Sequence, residues 1–235
     1  MGPAGIFITF AESKNTETMK IVNLGKTDSV LNSFVAQIRD KKVQKDRMRF
    51  RTNLRRLGEI FAYEISKTLN YAEGDVVTPL GVANVSRYTD DIVVGTILRA
   101  GLPLHEGVLD YFDTAENAFV AAIRQYDAEN EFELEAKYCT CPSLSGKVLI
   151  LVDPMMATGS SMEVAYNALV SEGGEPACTH IVCPITSAYA VEDLSKKLPK
   201  KVTLWTAAID EELTVHSYIV PGLGDAGDLA FGGKR

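Results

Sequence analysis

The chain has 235 residues, 46% of them hydrophobic and 23% charged, which is enough apolar material for one globular α/β domain with a real core. No apolar run approaches the roughly 18 residues of a membrane span. A formal net charge of −7 argues against broad nucleic-acid binding, which needs a cationic surface, but leaves anionic small ligands open. Residues 1–18 are rich in small and polar types and lack the basic flank and length of a secretory signal. They are read as a disordered leader, with a single domain over 19–235. Val30, Leu31, Phe34, Val35 and Ile38 recur at helical spacing, as do Leu54, Leu57, Phe61, Ile65 and Leu69. The basic run Arg39–Arg51 between them reads as a solvated face and connector.

After Gly74 the pattern changes. Short apolar runs predict buried strands at Ile92–Leu98, Ala118–Ile123, Val148–Val152, His180–Ile185 and Val202–Ala208. Helices are predicted at about Leu104–Phe112, Ser160–Glu172 and Ala188–Leu198. Strands alternating with helices imply a parallel sheet flanked by helices, preceded by N-terminal helices. The polar, acidic stretch Asp127–Lys137 predicts a projecting hairpin or loop. Cys139, Cys141, Cys178 and Cys183 form no CxxC pair, and His105, His180 and His216 are scattered, so the spacing does not suit structural zinc. The cysteines read as reduced packing residues, which suits the cytoplasm, although Cys139-Thr140-Cys141 could form a redox pair.

In such sheets ligands lie beyond the carboxyl ends of the strands. Val148–Val152 is followed by Asp153-Pro154-Met155-Met156-Ala157-Thr158-Gly159-Ser160-Ser161 and then by an amphipathic helix. Strand, small-residue loop and helix N-terminus make an anion cradle, because free backbone N–H groups and the helix dipole both favour phosphate. A tight turn with a Ser/Thr cap would leave the same small-residue run. The loop is not a Walker A motif, since no Lys follows the glycine at the required place. Two further strands end on arginines: Ile97-Leu98-Arg99-Ala100-Gly101 and Ala121-Ala122-Ile123-Arg124. A guanidinium there can be aimed at a diphosphate, and a surface ion pair is the plain alternative. Tyr218–Asp228, with three glycines, one proline and two aspartates, cannot form a regular element.

These segments together resemble the uracil phosphoribosyltransferase family, over nearly the whole chain except the leader. Asp153–Ser161 looks like its motif for 5-phosphoribosyl-1-diphosphate (PRPP), with one acid, as in the uracil branch, and Ser160 where family forms often have glycine. Tyr218–Asp228 resembles its uracil-binding signature. The resemblance implies a phosphoribosyltransferase-like sheet and transfer of phosphoribose to uracil, giving UMP and diphosphate. It further implies Mg²⁺ travelling with PRPP, no direct protein metal ligand, and a homodimer or larger homo-oligomer. It assigns PRPP to Arg99, Arg124, Asp153, Pro154, Met155, Met156, Ala157, Thr158, Gly159, Ser160, Ser161 and Asp225. Uracil falls to Ile219, Gly224, Asp225 and Ala226, mainly through backbone groups. Asp153, Arg99 and Asp225 carry the catalytic roles. It also implies an unusual backbone at Arg99, such as a cis peptide.

Overall fold

The computed structural model describes residues 19–126 and 132–233, with backbone alone for 122–126 and 132–134. The leader over 1–18 and the tip 127–131 of the expected excursion lie outside the described residues. Strand β1 (Lys20–Asn23) precedes helices α1 (Val30–Arg39) and α2 (Arg47–Ser66). Next come β2 (Tyr71–Thr78), β3 (Gly81–Tyr88), β4 (Ile92–Ile97), α3 (Leu102–Leu109), β5 (Glu116–Tyr126), β6 (Phe132–Thr140) and β7 (Val148–Val152). The rest is β8 (Met155–Met156), α4 (Ser160–Gly173), β9 (Cys178–Val182), β10 (Ile185–Ser187), α5 (Ala188–Lys197), β11 (Val202–Thr206), β12 (Ala208–Asp210), β13 (Glu212–Leu213), β14 (Ile219–Val220) and α6 (Ala226–Phe231).

Seven strands form the main sheet in the order β1-β11-β9-β7-β4-β5-β6. Every pairing is parallel except β5 with β6. The sheet is covered on both faces, so β4 and β7 are buried at every residue; β7 reads as an unbroken apolar run, and β4 as one interrupted only by Gly95 and Thr96. Alternation along β7 divides its side chains between two cores. Val148, Ile150 and Val152 join the core that includes α1, α2 and α3, while Leu149 and Leu151 join the core that includes α4 and α5. Helix α1 starts at a capping box, in which Ser29 Oγ accepts from Leu31 N and Asn32 Oδ1 accepts from Ser29 N. Asp46 Oδ1 caps α2 by accepting from Arg49 N at 3.0 Å.

Several boundaries differ from the sequence reading. The strand predicted at His180–Ile185 divides at Pro184, which has no N–H for a ladder. Its continuation, β10, belongs to a second, three-stranded parallel sheet ordered β12-β10-β8. The run Val202–Ala208 divides likewise, because the N–H groups of Ala207 and Ala208 both turn to the Pro184 carbonyl at 3.0 Å. Helix α3 begins two residues early, with Pro103 in its first turn, where a missing N–H is harmless. Residues 132–137 of the expected excursion belong to β6, at the sheet edge. The arm β2–β3 has no counterpart in the sequence reading. The basic run Arg39–Arg51 is mostly exposed and connects α1 to α2, as the sequence suggests, and it also contains the end of α1 and the start of α2. Two of its arginines reach distant acceptors, Arg39 at Asp210 and Arg51 at the Ala230 carbonyl.

Candidate active site

Strands β4 and β7 are neighbours, yet the chain leaves them in opposite directions. β4 leads through α3 to β5 on one side, and β7 leads through α4 to β9 on the other. A crevice opens beyond their carboxyl ends at this switch of direction. It is a cleft of about 680 Å³, lined by the turn after β4, the loop after β7 and the segment around α6.

The loop after β7 is fastened from below. Asp153 N donates to the Val182 carbonyl at 3.1 Å. Met155 and Met156 pair with Ile185 and Thr186. Ser187 Oγ donates to the Ala157 carbonyl at 2.5 Å and also accepts from Ala190 N, so one hydroxyl ties the loop to the start of α5. Gly159 stands at the N-cap of α4 with φ of +84° and brings no capping side chain. A Cβ there would meet Leu194 Cγ at 3.0 Å as well as carrying the left-handed strain. The first turn of α4, to which Gly159 offers no side-chain cap, faces the cleft with its positive dipole end. The Asp153 carboxyl lies at the base of this loop, where burial pushes its pKa well above the usual carboxylate range. Cys183, buried behind it, has its thiol pushed up by burial and by the Asp153 charge.

On the opposite wall the Leu98–Arg99 peptide is cis, in accord with the unusual backbone that the resemblance implies. Arg99 Nη2 donates to the Gly232 carbonyl at 3.2 Å and lies 3.7 Å from Asp228 Oδ1. Asp225 caps α6, its Oδ1 accepting from Asp228 N at 2.9 Å. The turn after β4 and the segment around α6 are thus in direct contact.

Of the residues singled out in the sequence, Arg99, Asp153, Met155, Met156, Ala157, Thr158, Gly159, Ser161, Gly224, Asp225 and Ala226 line the cleft. Pro154 and Ser160 do not. Pro154 carries the break between β7 and β8, and Ser160 Oγ bonds with Thr158 Oγ1 at 3.1 Å. Ile219 is 5% exposed and packs in the core behind the wall. Arg124 lies in β5 opposite Leu134, and its side chain lies outside the described residues. His216, Ser217 and Tyr218 also line the cleft and were not singled out as site residues. Ser217 has φ of +60°, a conformation uncommon for a side-chain-bearing residue and frequent at ligand sites. Among the described residues no group of three or more His, Cys, Asp or Glu side chains could hold a metal ion. A divalent ion here would need most of its oxygens from ligand and water, with Asp153 the acid nearest the phosphate loop.

The family model described as uracil phosphoribosyltransferase matches residues 26–233. A Porphyromonas gingivalis protein named uracil phosphoribosyltransferase is 51% identical over 216 residues, covering 92% of this chain and 100% of that protein. One of the same name from Methanothermobacter thermautotrophicus is 40% identical over 185 residues, covering 78% of this chain and 83% of that one. Among solved structures, the AQ2163 protein from Aquifex aeolicus superposes with a TM-score of 0.79 at 30% identity, covering 90% of this chain and 98% of that one.

Proposed function

Because the chain belongs to the uracil phosphoribosyltransferase family, we propose that it transfers the 5-phosphoribosyl group of PRPP to uracil, giving UMP and diphosphate. The observation that carries this reading is the convergence of the 153–161 loop, Arg99 and the 224–227 segment on one cleft. In this reading the α4 N-terminus, with Thr158, Gly159, Ser160 and Ser161, takes the 5-phosphate. Arg99, joined by Arg124, holds the diphosphate, and a planar fork suits that role. Asp153 orients the ribose, and Asp225 reaches PRPP from the base side. Uracil meets backbone groups around Ile219, Gly224, Asp225 and Ala226.

The reaction breaks the C1′–O bond to diphosphate and forms a bond from N1 of uracil to C1′ on the opposite face, with loss of the N1 proton. Positioning and stabilisation of the departing charge dominate such a step. Mg²⁺ carried by PRPP and water supplies further charge neutralisation. A bound cation also favours the ionised form of Asp153, opposing the effect of burial.

Three further features belong to the same reading. On the β2–β3 arm, Val77 is 84%, Leu80 100% and Val82 65% exposed, an apolar surface that supports a homodimer or larger homo-oligomer. Leu80→Asp should then lower the mass measured by light scattering. Four unpaired cysteines support a reducing, cytoplasmic setting. Among the described residues no helix is long and apolar enough to cross a membrane.

The deciding experiment is turnover with PRPP and Mg²⁺ against a panel of bases. Cytosine reverses the hydrogen-bonding sense at C4 and N3, and each buried mismatch costs about 1–3 kcal/mol. Discrimination of about a hundredfold or more is expected. 5-Fluorouracil should be accepted, and purines should fail on size. Comparable efficiency with cytosine or a purine would sink the assignment of the base.

A further inference from the structure

Arg39 closes α1, within a run of charge that the sequence presents as surface. Its guanidinium instead grips Asp210 through two parallel bonds, Nη1 to Oδ2 and Nη2 to Oδ1, both 2.8 Å. The pair does not stop at itself. Arg39 Nη1 also donates to the Gly222 carbonyl at 3.0 Å, and Asp210 Oδ2 accepts from Gly222 N at 2.9 Å. Both polar groups of Gly222 are therefore held, one by each member of the pair. Gly222 is itself constrained, with φ of +54° and room for no side chain: a Cβ would come within 2.2 Å of the Ile219 carbonyl oxygen.

The location gives this closed arrangement its meaning. None of the three residues lines the cleft. Gly222 nevertheless stands two residues before Gly224 and three before Asp225, which do line it. Asp210 ends β12, which pairs with β10, and β10 pairs with β8 at Met155 and Met156 in the phosphate loop. A continuous hydrogen-bonded path thus runs from the phosphate loop through the small sheet to Asp210, and from Asp210 to the turn that leads into Gly224. Asp210 is only 8% exposed and Arg39 20%. A largely buried carboxylate without a matched partner is costly, so removing either member leaves the other unsatisfied. The planar fork also fixes direction as well as distance, which a lysine cannot do.

We infer that the Arg39–Asp210 pair is a positioning device for base recognition: it sets the 219–226 turn in register with the phosphate loop without touching either substrate. The inference rests on the uracil reading of this cleft. It requires that loosening the pair harm the use of uracil far more than the binding of PRPP.

The test uses Arg39→Lys and Asp210→Asn in the full chain. Asp210→Asn is nearly isosteric, and Arg39→Lys keeps the charge while losing the planar fork. Expected are a fall of about tenfold or more in kcat/KM for uracil, reduced uracil-over-cytosine preference, and PRPP affinity by calorimetry within about twofold of wild type. Hydrogen exchange should quicken over 219–226 and stay unchanged over 155–161. A parallel loss of uracil use and PRPP affinity would make the pair a general structural strut and overturn the inference. Unchanged uracil kinetics with unchanged exchange would overturn it equally. If wild type itself rejects uracil, the functional reading fails first, and the contrast in exchange between the two loops still decides whether the pair positions the turn.

Discussion

Arg99 donates through Nη2 to the Gly232 carbonyl at 3.2 Å, which joins the turn after β4 directly to the segment after α6. The nearby Asp228 carboxylate, at 3.7 Å and half-exposed, adds only a loose ion pair. A diphosphate is a much better acceptor for a guanidinium than one neutral carbonyl. Arg99→Lys should therefore fold with little change in stability yet lose about tenfold or more in kcat/KM for PRPP, because the fork is lost and the charge is kept. Steady-state kinetics beside a denaturation curve would check both halves. Full activity in the lysine variant would reduce Arg99 to a point charge.

Gly159 faces two separate obstacles to substitution. Its φ of +84° disfavours any side chain, and a Cβ at this position would stand 3.0 Å from Leu194 Cγ. Gly159→Ala should cost about 1–3 kcal/mol in stability and weaken PRPP binding. Adding Leu194→Ala should relieve only the contact, since the backbone strain remains. If the double variant recovered wild-type PRPP affinity, crowding by Leu194 would be the whole reason for glycine, and the backbone conformation would be irrelevant.

These two positions show what could be read from sequence. The 153–161 loop, Arg99 and the 218–228 segment are local motifs, so their meaning survives without coordinates. Strands β4 and β7 were legible because both faces are covered and every residue is apolar or small. The β2–β3 arm was not, because neither of its faces is buried in a core that would impose a period of two. Strands of two or three residues, such as β8 and β12, carry no pattern at all. Arg39 looked like one more charge in a basic run, since its partner stands 171 positions away. Ser217 could not be recognised either, because nothing about a serine announces a positive φ.

Asp153 is expected to separate folding from function. Burial raises its folded-state pKa well above the unfolded value, so the folded state binds the proton more tightly. The carboxyl's contribution to stability is then fully present below the unfolded pKa of 3.8 and is lost as pH rises through the folded pKa. Above the unfolded pKa the carboxyl opposes folding, because the unfolded chain releases its proton more readily. Asp153→Asn should therefore match or exceed wild type in melting temperature at pH 7, with the difference shrinking toward acid, while losing most turnover. A variant less stable than wild type at pH 7 would show that the carboxylate has a favourable partner in the folded chain.

The chain's one tryptophan reports on a buried titration away from the cleft. Trp205 Nε1 donates to His180 Nδ1 at 3.0 Å, which requires that nitrogen to be unprotonated. His180 is 7% exposed, with Cys178 Sγ 3.9 Å from its Nε2. Burial, reinforced by the Lys20 charge and opposed by Asp90, lowers its pKa from 6.5 to about 4. A folded-state pKa below the unfolded one means that the unfolded chain takes up the proton first. Stability is therefore whole above pH 6.5 and declines as pH falls toward about 4, below which this group adds no further loss. At about 1.4 kcal/mol per pKa unit, the decline is on the order of 3 kcal/mol. His180→Gln removes the titrating ring while leaving an amide oxygen able to accept from the indole. Urea denaturation followed by Trp205 fluorescence, repeated across this pH range, should give a steeper acid decline for wild type than for the glutamine variant, even if the variant is less stable at pH 7. Parallel slopes would show that groups other than His180 govern the acid stability of the fold.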